Sequence, residues 1–268
     1  MPQPLAKSAA FNLPQALAQA LAFHGQGRLG EAEGLYAEIL AVRPGHIDAL
    51  QMMGLIKLAK GQPAEALQLV AAAMGERTPS PQILLNHGII LNALDRHDEA
   101  LDSFDRAIKQ KSKFAEAHNN RGAALAALGR HEEALASYRK AVAIKPDYAE
   151  AHYNIGSTLR TLGLMDDALK SFDRALALRP KYPKAHNNRG TVLEAQGQLA
   201  PALECYEKAL ALSPNFKEAR NNRTRVLCLL NRFDEALAAF TQMLALDPSD
   251  VDTYLNRGRV FLDLNRNE

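Results

Sequence analysis

The stretch AEAHNNRGAALAALGRHEEALASYRKAVAIKPDY, residues 115–148, decides the fold, because the chain repeats its plan every 34 residues. AHNNRG at 117–122 returns at 185–190, and AHYNIG at 151–156 lies midway between them. In register with this stretch, the chain divides into units 13–46, 47–80, 81–114, 115–148, 149–182, 183–216 and 217–250, then a half unit 251–268. Residues 1–12 form an extension, and no insertion or deletion is needed anywhere. A fixed period of this length marks a repeat architecture whose units bury their apolar faces against one another.

Each recurring position has a physical reason. Position 20 of the unit is alanine in every unit that reaches it, from Ala32 to Ala236. Position 8 is glycine at 54, 88, 122, 156, 190 and 258, with Ala20 and Thr224 as exceptions. Position 24 is Tyr36, Val70, Phe104, Tyr138, Phe172, Tyr206 and Phe240. Positions 4, 8 and 11 share one helical stripe, and 20, 24 and 27 another. Small residues at 8 and 20 therefore let two helices approach closely, while the large side chain at 24 fills the gap beside them. Position 15 is Gly, Asn or Asp throughout (Gly27, Gly61, Asp95, Gly129, Gly163, Gly197, Asn231, Asn265), the types that tolerate a left-handed helix end. Proline at position 32 (Pro44, Pro146, Pro180, Pro214, Pro248) stops the second helix. PDYAE at 146–150 then supplies Asp147 as the next N-cap, with Glu150 three residues on. Each unit is expected to be helix, tight turn, helix, short loop.

This pattern resembles the tetratricopeptide repeat family over essentially residues 13–268. The resemblance implies an all-α repeat solenoid, a right-handed superhelix of antiparallel helix pairs with the first helices lining its concave face. Residues 13–268 are then a single elongated domain stabilised repeat by repeat. Departures fall toward the ends. Unit 47–80 carries Val70 at position 24 and Lys57 at position 11, and unit 13–46 has only Ala16 at position 4, as an N-terminal cap would. The half unit is expected to leave Val260, Phe261 and Leu264 uncovered, which solenoids normally avoid. Either the sequence is a piece of a longer chain, or another chain, such as a second copy, covers this end.

The bulk numbers restrict function. The chain is 47% hydrophobic and 23% charged with net charge +2, too balanced to point to nucleic acid or an acidic membrane. No apolar run approaches the roughly 18 residues of a membrane span. Two cysteines, Cys205 and Cys228, make neither a disulfide framework nor a metal cluster. The expectation is a soluble, cytoplasmic protein with protein or peptide partners. GQGRLG at 25–30 follows a helix rather than a strand and so is not a dinucleotide fingerprint. His118, His152 and His186 recur once per unit, too far apart to share an ion, and read as packing residues. No catalytic grouping stands out, so no enzyme activity, cofactor or metal is expected of these residues.

The candidate site is an asparagine ladder. Position 6 is Asn86, Asn120, Asn154, Asn188, Asn222 and Asn256, about 200° around the helix from the packed position 8. An amide both donates and accepts, so such a row suits the backbone of an extended peptide, or else neighbouring groups of the protein itself. Position 7 carries Arg121, Arg189, Arg223 and Arg257, whose stems suit packing and whose heads suit acids of the adjacent unit. Arg225 and Arg259 at position 9, with Arg220, are expected to make the C-terminal end of the groove basic. The ladder and unit style are similar to the repeat region of bacterial O-GlcNAc-transferase-like (SPINDLY-like) proteins. That resemblance implies an alternative role as the substrate-docking arm of a larger glycosyltransferase. A carboxylate-clamp adaptor would need lysines at position 5, where Leu85, Asn119, Tyr153, Asn187, Asn221 and Leu255 stand instead.

Overall fold

The structure, a computed structural model, describes residues 11–75 and 78–265. The chain divides into two compact units, 1–137 and 138–268, with the division inside one helix. The first unit holds α1 (Leu13–Gly25), α2 (Leu29–Val42), α3 (Ile47–Ala59), α4 (Pro63–Met74), α5 (Pro81–Ala93), α6 (His97–Gln110), α7 (Ala115–Ala127) and the start of α8 (His131–Ile144). The second holds the rest of α8, then α9 (Ala149–Thr161), α10 (Met165–Leu178), α11 (Pro183–Ala195), α12 (Leu199–Leu212), α13 (Lys217–Leu229), α14 (Phe233–Leu246) and α15 (Val251–Asn265). All are α-helices, and no strand occurs among the described residues. The expected all-α architecture of antiparallel helix pairs is what the structure shows: within each unit paired helices such as α3 with α4 and α11 with α12 pack together, and second helices such as α4 and α12 pack against the first helix of the next repeat.

The period works as its chemistry requires. A Cβ added to Gly88 would sit 2.5 Å from the Phe104 ring, and one on Gly190 would sit 2.7 Å from Tyr206. Gly156 meets Phe172 in the same way, and Gly54 meets Val70. Between the paired helices the backbone turns left-handed at position 15, where even the non-glycine residues Asp95 and Asn231 take φ of 57° and 55°. The degenerate repeat is explained by charge: Lys57 lies 3.3 Å from Glu33 and 3.2 Å from Glu65, so an ion cluster replaces apolar packing there.

Three expectations need correction. Asp147 does not cap α9; the N-cap is Tyr148, with no side-chain cap bond, and the Asp147 carbonyl accepts from Ala149 N–H at 3.0 Å. The position before the helix belongs to an aromatic residue in four successive repeats, Phe114, Tyr148, Tyr182 and Phe216. A cation from one turn back covers the ring in three of them: Lys111 on Phe114, Lys145 on Tyr148 and Arg179 on Tyr182. Asn12, His46, Ser80 and Asp250, at the equivalent place elsewhere, do cap through their side chains. The histidines, second, are more than packing. His118, His152 and His186 each donate from Nε2 to a loop carbonyl six residues earlier, at Ser112, Pro146 and Pro180, over 2.9–3.1 Å. They clamp the loop between repeats.

The third correction concerns the end of the chain. Val260 is 3% exposed, packed with Leu227, Phe240 and Val226, and Leu264 lies against the same cluster. Phe261 alone of the predicted trio is open, at 49%. The exposed apolar residues beside it are Tyr254, Leu255 and Leu262. Residues at positions 10 and 14 pack against the preceding repeat, and position 11 lies off that contact.

Candidate functional site

First helices of successive repeats touch one another, α3 with α5 and α5 with α7 in the first unit, α9 with α11 and α11 with α13 in the second. Each therefore presents positions 5, 6 and 9 on a shared face, and the asparagines stand there. Their surroundings differ along the chain. Asn86 is buried at 3% exposure, accepting from Gln82 Nε2 at 3.3 Å, while its own amide nitrogen is buried without a partner among the described residues. Asn120 turns its amide back onto the Glu116 carbonyl of its own helix at 2.8 Å. Asn154 and Asn188 are half-buried, and Asn256 is exposed. A uniformly open row is thus not what the structure contains.

In the second unit, side chains of three first helices form one hydrogen-bonded chain. Asn188 donates to the Tyr153 hydroxyl at 3.0 Å and accepts from Asn187 at 3.2 Å. Asn222 donates to Asn187 Oδ1 at 3.0 Å. Arg225 donates to Asn222 Oδ1 and to Glu194 Oε2, both at 2.9 Å, and the Tyr206 hydroxyl donates to that same Glu194 oxygen at 2.8 Å. Burial, then the bond to Glu194, hold the Tyr206 phenol above its ordinary range. The network joins the groove face to the aromatic packed on Gly190. Asn187 is its pivot, a residue that periodicity did not single out because position 5 varies from unit to unit.

The position-7 arginines follow the packing alternative. Arg121 donates to Asp105 at 2.6 Å and to Ser137 at 2.7 Å; Arg189 repeats this with Asp173 at 2.7 Å and Cys205 Sγ at 3.1 Å. Arg223 faces Glu207 at 3.5 Å. Arg257 instead lies over the Tyr254 ring. In the 81–114 repeat, His87 takes the arginine's place and bonds Ser103 at 2.9 Å.

Four of the predicted residues meet in one place. Asn222, Arg225, Asn256 and Arg259 line a cleft of about 800 Å³ between α13 and α15, floored by α14. Its buried lining is mainly apolar (Phe240, Met243, Cys228, Val260) with the hydroxyls of Thr224 and Thr253, and its exposed lining is mainly polar. The expected basic end needs correction in two respects. Arg220 lines a different, smaller cleft with Arg223 and Leu246, because position 4 faces the packed side of the helix. Asp250 and Asp252 share the rim with the cations, and Arg225 is already paired with Glu194. The rim is mixed in charge, not basic.

No group of three or more metal-ligating side chains is assembled among the described residues. No described helix is long and apolar enough to cross a membrane.

Family profiles described as TPR repeat or tetratricopeptide repeat match residues 23–85, 88–129, 124–163, 147–215 and 193–250. The chain belongs to the tetratricopeptide repeat family. A crystal structure of MamA aligns with 60% of this tetratricopeptide chain and 95% of its own, at 26% identity and TM-score 0.52. PilW, described as a widely conserved type IV pilus biogenesis factor, aligns with 80% of this chain and 99% of its own, at 19% identity and TM-score 0.71. PilF of Pseudomonas aeruginosa aligns with 80% and 97%, at 19% identity and TM-score 0.69. At such identities the last two likenesses speak for the fold alone. No curated protein matches the sequence. Tetratricopeptide repeats generally mediate protein–protein interaction.

Proposed function

We propose that this tetratricopeptide repeat chain is a non-catalytic interaction scaffold that holds an extended segment of a partner protein along its first helices. The observation that carries this is the α13–α15 cleft, where Asn222, Arg225, Asn256 and Arg259 converge over an apolar floor. Asn256 and Arg259 stand one helical turn apart on α15 and are exposed, so their donors and acceptors face incoming chain. Within the second unit, Asn154 and Asn188 continue the row on α9 and α11, with contact strongest at the exposed amide of Asn256. Each such bond contributes only about 1 kcal/mol net, so binding needs several at once. A transferase-arm role would use this same groove and differs only in what is joined to it.

Fluorescence anisotropy with a broad panel of labelled ten-residue peptides tests the reading. Some peptides should bind, and Asn256→Ala with Asn222→Ala should weaken them about tenfold or more with helicity unchanged. A panel in which nothing binds would refute it.

A second reading rests on the open stripe of α15. Tyr254, Leu255, Phe261 and Leu262 are exposed, and Gly258 has nothing within 4 Å where Gly88, Gly156 and Gly190 meet an aromatic ring. This face can associate with a second copy. Light scattering at two concentrations should then show dimers that Phe261→Asp abolishes; a monomer throughout removes the idea.

A further inference from the structure

We infer that the α13–α15 cleft recognises a partner segment carrying an apolar side chain and, two residues away, an acidic one. The inference rests on the groove-binding reading above and gives it a specificity.

The depth of the cleft selects the first element. Phe240 and Val260 are 5% and 3% exposed, yet both line the cleft wall, together with Met243 and Cys228. A side chain reaching that floor leaves water for a surface contributed by three helices. A polar or charged one loses its hydration there with little return, since the two buried hydroxyls of the lining, Thr224 and Thr253, already donate to the Arg220 carbonyl and to Asp250.

The rim selects the second. Its charges are Lys217, Arg225 and Arg259 against Asp250 and Asp252. They are not equally available. Asp250 caps α15, accepting from the Thr253 hydroxyl at 2.9 Å and the Thr253 N–H at 3.2 Å, and these bonds hold its carboxyl below the usual range. Arg225 is committed to Glu194 and Asn222. Arg259 is exposed and has no hydrogen bond or ion pair among the described residues. Its planar guanidinium suits a carboxylate held by two parallel bonds.

Geometry sets the spacing. In an extended segment, side chains two residues apart point the same way and lie about 6.6 Å apart. One entering the floor between α13 and α15 places the next on its own side at the rim, within reach of the long Arg259 side chain. The residue between them points outward, and its flanking backbone amides face Asn222 and Asn256.

The experiment titrates the intact chain against three labelled ten-residue serine–glycine peptides. One carries Leu-Ser-Asp at its centre, one Leu-Ser-Lys, and one Ser-Ser-Asp. The Leu-Ser-Asp peptide should bind at least about tenfold tighter than either other, and Arg259→Glu should reverse the order of Asp and Lys while circular dichroism stays unchanged. Equal binding of all three, or an order indifferent to Arg259→Glu, overturns the specificity and leaves the groove reading standing. Binding of none of the three while other peptides bind elsewhere in the panel also overturns it. Only silence across the whole panel would remove both.

Discussion

Asn222 donates its side-chain amide to the side-chain oxygen of Asn187, 3.0 Å away and 35 residues earlier in the chain. This bond ties α13 to α11 on the groove face and commits one of the ladder's amides to the protein. It also changes what substitution of the ladder measures. Asn187→Ala should lower the stability of the second unit by about 1–2 kcal/mol, because Asn222 and Asn188 both lose a partner. Thermal unfolding followed by circular dichroism checks it. Asn256→Ala, on an exposed residue, should leave the transition where it is.

Glycines at one repeat position should respond in opposite directions. Gly190→Ala puts a Cβ 2.7 Å from the buried Tyr206 ring and should destabilise by about 1–3 kcal/mol through overpacking. Gly258→Ala meets nothing within 4 Å and should stabilise α15 by up to about 1 kcal/mol through helix propensity. Urea unfolding of the two variants reads both signs.

Two tyrosines at position 24 make a second contrast. The Tyr206 hydroxyl donates a hydrogen bond to Glu194, so Tyr206→Phe leaves a largely buried carboxylate with one donor fewer and should cost about 1–2 kcal/mol. The Tyr36 hydroxyl is buried without a partner among the described residues, and burial pushes its pKa up to about 12. Tyr36→Phe should therefore be neutral or stabilising by about 1 kcal/mol. Equal losses in the two variants would contradict the assignment of partners.

The first unit should weaken in mild acid. Burial, reinforced by Arg106 and Arg96, holds the His87 imidazole below its ordinary pKa in the folded chain. The unfolded chain therefore takes up a proton first, near pH 6.5, and stability present above that pH declines as pH falls toward the folded value. His87→Gln should flatten the dependence of the denaturation midpoint between about pH 7 and 5. An unchanged slope would place the titration elsewhere.

Much of this protein could be read from its residues alone. Glycine at 8, alanine at 20 and an aromatic at 24 state a close helix contact, since no other arrangement gives so large a ring a place beside so small a partner. Gly or Asn at 15 and Pro at 32 state where each helix stops, because backbone conformations open to those residues are local properties. The face occupied by the asparagines also followed from 3.6 residues per turn. Periodicity places a side chain on a face, however, and does not say which atoms of another repeat come within 3 Å of it. That Asn187 rather than a ligand receives the Asn222 amide, that Glu194 occupies Arg225, and that Val260 is covered while Phe261 is not were decided only when the helices packed. So was the helix start at Tyr148, whose ring lies under Lys145, instead of at Asp147. The sequence repeats, but the neighbours of each repeat differ, and hydrogen bonding depends on the neighbours.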